Sequence, residues 1–273
     1  MSTAWLFTSG KGGVGKSTIS SCIGFSMARA GQKVCIIDGD IGLRDQDALL
    51  GLENRIGYDL LDVALGHCRL EQALISPIDE PRLSLLAASQ FARAKELKPS
   101  AFRRILFRLK QLFDVVLIDS PAGIERSMRG LLNEEIDACA LICTPDDVCI
   151  RNADRTLMIL QEKHMPRPKL IVNRLEEALI RGDEMYSAAT VAQTLDLELL
   201  GEIPDDSYVY RAMLLHQNLM DIRCEARDAL ERITQRMLED PDAQPLPGYG
   251  TQKLNWFQRL FQPTLKEVKR IDR

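Results

Sequence analysis

Ser9-Gly10-Lys11-Gly12-Gly13-Val14-Gly15-Lys16-Ser17-Thr18 gathers two lysines, three hydroxyls and four glycines into ten residues near the start of the chain. Gly10 to Ser17 satisfies Gly-x-x-x-x-Gly-Lys-Ser/Thr, a pattern whose glycines let successive backbone N–H groups turn inward around an anion. Lys16 is placed to reach β- and γ-phosphates and Ser17 to ligate Mg²⁺, with Gly12, Gly13, Val14, Gly15 and Thr18 completing the cradle. A helix starting at the end of such a loop aims its positive dipole end at the same anion. The chemistry implied is the binding of a nucleoside triphosphate with Mg²⁺. Lys11 is a second lysine that the pattern does not require; from the residues alone it reads equally as a solvated loop cation or as a further phosphate contact.

Two other stretches offer carboxylates directly after apolar runs: Asp38-Gly39-Asp40-Ile41-Gly42-Leu43-Arg44 and Asp119-Ser120-Pro121-Ala122-Gly123. Following a phosphate loop in this order, Asp119 is the candidate Mg²⁺-shell residue, acting through water, and Gly123 the candidate backbone donor to the γ-phosphate. Taken singly, either aspartate reads as a turn initiator or helix N-cap.

Positioning these groups falls to short apolar runs separated by helical stretches: Trp5 to Phe7, Lys33 to Ile37, Leu83 to Leu86, Val115 to Ile118, Ala140 to Cys143, Lys169 to Val172 and Leu199 to Ile203. This β-α alternation predicts an α/β fold with a mostly parallel, doubly wound sheet flanked by helices. Ligands of such sheets lie beyond the carboxyl ends of the strands, where the loop and both aspartates should meet. With 273 residues, 45% of them hydrophobic, the chain can bury a large core, and its length suits one large α/β domain or two small ones; one phosphate-loop domain over residues 1–239 followed by a tail is the favoured reading. The net charge of −4 gives no support to general nucleic-acid binding. The seven scattered cysteines read as reduced core residues. There is neither an eighteen-residue apolar run nor a signal-peptide pattern, so the expected location is the cytoplasm.

Beyond the last helical pattern the composition changes. Residues 240–252 are rich in Pro, Gly and acid and predict a flexible linker. Residues 253–262 then place Leu254, Trp256, Phe257, Leu260 and Phe261 within about 160° of one helical arc, opposite Arg259 and its polar neighbours. From Thr251 onward six Lys/Arg outweigh two Asp/Glu, a local charge of +4. A basic amphipathic helix about 15 Å long is too short to span a bilayer but suits an anionic membrane surface. The alternatives are a terminal helix packed on its own domain and a docking helix for a protein partner. Residues 263–273 form a basic C-terminal extension.

The glycine loop with its extra lysine, the Asp38 and Asp119 segments, Arg181-Gly182-Asp183, Leu200-Gly201-Glu202-Ile203-Pro204 and the tail Trp256-Phe257-Gln258-Arg259-Leu260-Phe261 together resemble the MinD family, deviant phosphate-loop ATPases related to ParA. The likeness runs over nearly the whole chain. It implies that Lys11 crosses a homodimer interface to the partner's ATP, making Lys11, Lys16 and Asp40 the catalytic set. Asp40 then positions the attacking water, Ser17 and Asp119 form the magnesium shell, and Asn173 contacts adenine. It also implies ATP-dependent, peripheral attachment to the cytoplasmic face of the membrane and recruitment of a MinC-like division inhibitor. A MinE-like activating factor is a further implied partner; a specific nucleic acid is not. Neighbouring readings are a MinD-like regulator of flagellar number or placement and a nucleotide-locked scaffold with little turnover. A DNA-partitioning ATPase gains nothing from the acidic balance, and an iron-sulfur reductase would need a cysteine just beyond Asp119, where none occurs before Cys139. Two features depart from the family: Asp45 stands where relatives usually carry Asn, replacing a donor amide by a carboxylate, and the chain continues past the point where the membrane helix normally ends.

Overall fold

A computed structural model describes residues 2–90, 96–121, 123 and 126–239; the linker, amphipathic helix and basic extension expected over 240–273 lie outside the described residues. The chain opens with β1 (Thr3–Ser9), α1 (Lys16–Arg29), β2 (Val34–Asp38), α2 (Gln46–Leu49), α3 (Leu60–Leu65), α4 (Leu70–Ala73), β3 (Leu74–Ile75) and β4 (Leu83–Leu86). It continues through α5 (Pro99–Leu112), β5 (Val115–Asp119), α6 (Arg126–Leu131), β6 (Ala138–Cys143), α7 (Asp147–Glu162) and β7 (Lys169–Leu175). The described part closes with α8 (Glu177–Arg181), α9 (Ala188–Leu195), β8 (Leu199–Pro204), α10 (Ser207–Leu214) and α11 (Glu225–Glu239).

Among the described residues the strands form one eight-stranded sheet in the order β3-β4-β2-β5-β1-β6-β7-β8. Every pairing is parallel except β3 with β4, so the predicted doubly wound sheet is present with one antiparallel edge added. The seven predicted runs all fall on strands, with only Lys33, just ahead of β2, outside one. Their near-continuous apolar character follows from burial on both faces. Trp5, Phe7, Val34, Ile36, Val115 and Leu117 enter one core cluster with residues of α1 and α11, while Ala4, Leu6, Cys35, Ile37, Val116 and Ile118 enter a second with residues of α5. Alternation of period two sends neighbours in each strand to opposite layers. Helix α5 shows the matching helical period: Ala101, Phe102, Ile105, Leu106 and Leu109 are buried along one stripe, and Pro99 opens the helix where its missing N–H costs nothing.

The central strands set the site. β5 lies between β1 and β2, and the register pairs Phe7 with Asp119 and Asp38 with Asp119. Three strand ends are thereby aligned at the edge where β1 runs into its glycine loop.

Candidate nucleotide site

The loop between β1 and α1 is built by close backbone approach. A side-chain carbon on Gly10 would come within 2.3 Å of the Asn152 backbone in α7, so only glycine fits there. Gly15 takes φ +93° as the N-cap of α1, and a side-chain carbon on it would meet Asn173 Nδ2 at 2.6 Å. No side chain caps α1 at this end and its first turn holds no acid, which leaves its N-terminus suited to an anion.

Lys16 projects into the interior. Its side chain is 6% exposed and its Nζ donates to Asp119 Oδ1 at 2.5 Å, with Asp119 1% exposed. The same ammonium lies 3.4 Å from Ser17 Oγ. A cation is thus already held between the two oxygens expected to serve Mg²⁺. Ser17 and Asp119 offer only oxygen, the donor set Mg²⁺ prefers, so the residues fit that ion. Around them Gln46 Nε2 donates to Asp119 Oδ2 at 2.8 Å, and the backbone N–H of Gln46 donates to Asp38 Oδ2 at 3.1 Å. Burial, and then the nearby Asp119 carboxylate, push Asp38 up to about 8, against the hydrogen bonds it accepts from the Asp40 and Gln46 backbones.

Asp40 sits on a loop tied to this cluster. Its N–H donates to Asp38 Oδ1 at 3.0 Å, and its carbonyl accepts from the N–H groups of Leu43 and Arg44. Arg44 adopts φ +54° and pairs with the buried Asp47 at 2.8 Å, closing the loop onto α2. Asp45, expected from the resemblance to replace an Asn, is exposed at the N-cap of α2, and its side chain makes no capping bond.

Lys11 is placed differently. Its side chain is 46% exposed and its Nζ lies 3.9 Å from Asp146 Oδ1, itself 45% exposed. Asp146 caps α7 by accepting from Cys149 N. Partial burial works against its charge, but the Thr144 hydroxyl, the Cys149 N–H and Lys11 together hold its carboxyl below the usual carboxylate range.

A cavity of about 360 Å³ brings the expected residues together: Lys11 through Thr18, Asp40, Asp45 and Asn173 all line it. Asn173 Nδ2 donates to the Val14 carbonyl at 2.8 Å, which makes Asn173 a clamp on the loop as well as part of the cavity wall. Arg174, Pro204 and Val209 continue that wall away from the phosphate end. The Gly123 N–H, expected to face a γ-phosphate, is engaged by the Ser9 carbonyl at 3.0 Å and meets a phosphate only once that bond opens. Four contacts escaped the sequence reading: Lys16 to Asp119, Lys11 to Asp146, and Gln46 to each of Asp38 and Asp119. The membrane candidates Leu254, Trp256, Phe257, Arg259, Leu260 and Phe261 lie outside the described residues.

A chain of phosphates with its divalent cation would suit the loop amides, Lys16, Ser17 and Asp119, and the sheet is the one on which P-loop nucleoside triphosphatases are built. The family model described as "ParA: NUBPL iron-transfer P-loop NTPase" matches residues 1–238. The septum site-determining protein MinD of Bacillus subtilis is 38% identical over 241 residues, covering 87% of this chain and 90% of its own length. The MinC:MinD cell division protein complex of Aquifex aeolicus contains a chain with a TM-score of 0.83 and 32% identity, over 91% of this chain and 100% of that one. MinD of Pyrococcus horikoshii OT3, solved with Mg-ADP, shares the fold with a TM-score of 0.77 at 22% identity, over 88% of this chain and 97% of that one. The chain belongs to the MinD/ParA family of P-loop ATPases.

Proposed function

We propose that this protein is an ATP-driven dimerising switch of division-site placement: with ATP it forms a homodimer on the cytoplasmic face of the membrane and recruits a MinC-like division inhibitor, and hydrolysis releases it. The observation that carries the reading is Lys11, a cation on the phosphate loop that its own site leaves half exposed and loosely paired. Lys16 exchanges Asp119 for the β- and γ-phosphates. Asp40, held by Asp38, orients the attacking water, and Lys11 reaches the partner's nucleotide, so assembly completes the catalytic set. When bound, Mg²⁺ supplies charge neutralisation on the β- and γ-oxygens, with Ser17 as ligand and Asp119 acting through water. Asn173 contacts the adenine while holding Val14.

The rest of the chain serves attachment. Residues 1–239 are the ATPase unit, 240–252 the linker, 253–262 the membrane helix and 263–273 a basic extension. One short helix binds a bilayer weakly and reversibly, but a dimer presents two, and the second engages at an effective concentration set by its linker. The Aquifex assembly of MinC with MinD supports a MinC-like partner; a MinE-like activator belongs to the same reading. Cosedimentation with anionic liposomes tests it: the full chain pellets with ATP and stays soluble with ADP, and truncation after Gly250 removes the ATP-dependent binding. Equal pelleting of the truncated chain would sink the tail assignment.

A further inference from the structure

Gln46 is the first residue of α2, directly after the Asp40 loop, and it is fully buried. Its Nε2 faces Asp119 Oδ2 at 2.8 Å, Ser20 Oγ at 2.9 Å and the Ser17 carbonyl at 3.1 Å. The Ser20 hydroxyl directs its own proton to the Ser17 carbonyl, so all three neighbours present acceptors. A flipped amide would point its oxygen at a carboxylate and a carbonyl, which fixes the orientation. On the other side Oε1 is buried and accepts no hydrogen bond. Native interiors rarely leave a buried acceptor open, and this one belongs to the amide whose Nε2 holds the Asp119 carboxylate.

We propose that Gln46 is a positioning residue for the Mg²⁺ shell, holding Asp119 by Oδ2 so that Oδ1 alone faces the cation while Oε1 accepts from a water of that shell. The assignment rests on the ATPase reading. Lys16 holds Asp119 Oδ1 at 2.5 Å. Once Lys16 turns to a phosphate, Gln46 is the group that keeps the carboxylate from rotating. Its backbone N–H on Asp38 and its side chain on Asp119 also fix the start of α2 across two strand ends, which registers the Asp40 loop against the shell.

The test uses the full-length chain with Gln46→Met, which keeps the side-chain length, and Gln46→Leu as a second variant. ADP affinity is measured by calorimetry in EDTA and across a Mg²⁺ titration. Both variants should bind ADP in EDTA within about twofold of wild type. Both should need about tenfold more Mg²⁺ or beyond for half-maximal tightening, the usual scale when an outer-shell partner of a metal ligand is lost. A wild-type Mg²⁺ midpoint in Gln46→Met overturns the proposal, and so does an equal loss of affinity with and without Mg²⁺, which would mark a merely structural role. A wild-type chain whose nucleotide binding ignores Mg²⁺ would overturn the ATPase reading as well, and that result is distinct from a normal wild type with unaffected variants.

Discussion

The two lysines of the glycine loop leave the same short segment for opposite surroundings. Lys16 is 6% exposed and 2.5 Å from a carboxylate that is itself buried, whereas Lys11 is 46% exposed and 3.9 Å from one that is half exposed. An exposed pair of the second kind is worth about 0–1 kcal/mol, while removing one partner of a buried pair costs about 3–5 kcal/mol because it strands a charge. The inner end of the loop is therefore assembled in advance, each group held by another of the same site. The outer end is cheap to rearrange. A cation that serves its own phosphates needs the first arrangement, and one that is to be handed to a second subunit needs the second.

Removing the inner lysine should have the largest consequence. Lys16→Ala should weaken nucleotide binding about a hundredfold or more, since charge-assisted bonds to two phosphates vanish together. The variant should also melt lower without nucleotide, because Asp119 is left buried beside Asp38; calorimetry for binding and a thermal melt check the two halves. Gly15→Ala comes next. The +93° backbone and the 2.6 Å approach to Asn173 together predict about a tenfold loss of affinity, with the rest of the fold intact by circular dichroism. A smaller effect attaches to Asp38. Its pKa is raised, so the protonated form favours the fold: that contribution is complete below pH 3.8 and is lost as pH climbs to about 8. The melting temperature of wild type without nucleotide should fall over that window relative to Asp38→Asn, in which the slope is reduced. Parallel profiles would mean that Asp38 does not titrate there.

What could be read in advance follows from the range of the forces involved. The glycine loop, Asp38, Asp40 and Asp119 are marked locally, by a motif and by acids at the ends of apolar runs, and a parallel sheet converts those marks into one place. Contacts set by strand order are not written locally. Lys16 and Asp119 stand 103 residues apart and meet because β5 lies beside β1. Gln46 follows Arg44 and Asp45 and no local pattern marks it; docking of α2 against α1 and β5 buries it. The edge strand β3 spans only Leu74 and Ile75, too short for any periodic signal. Asn173 entered through resemblance alone, and its bond to Val14 bridges 159 residues.

Lys11→Ala completes the comparison as the mildest change at the chain's own site: nucleotide affinity of the monomer should stay within about twofold of wild type, as expected for an exposed, weakly paired cation. Its effect should lie between subunits. Light scattering of the full chain with Mg²⁺ and ATP tests the central claim most directly. Wild type should run at twice the monomer mass with ATP and at the monomer mass with ADP, while Lys11→Ala stays monomeric although it binds ATP. A Lys11→Ala protein that dimerises with ATP as readily as wild type would contradict the account.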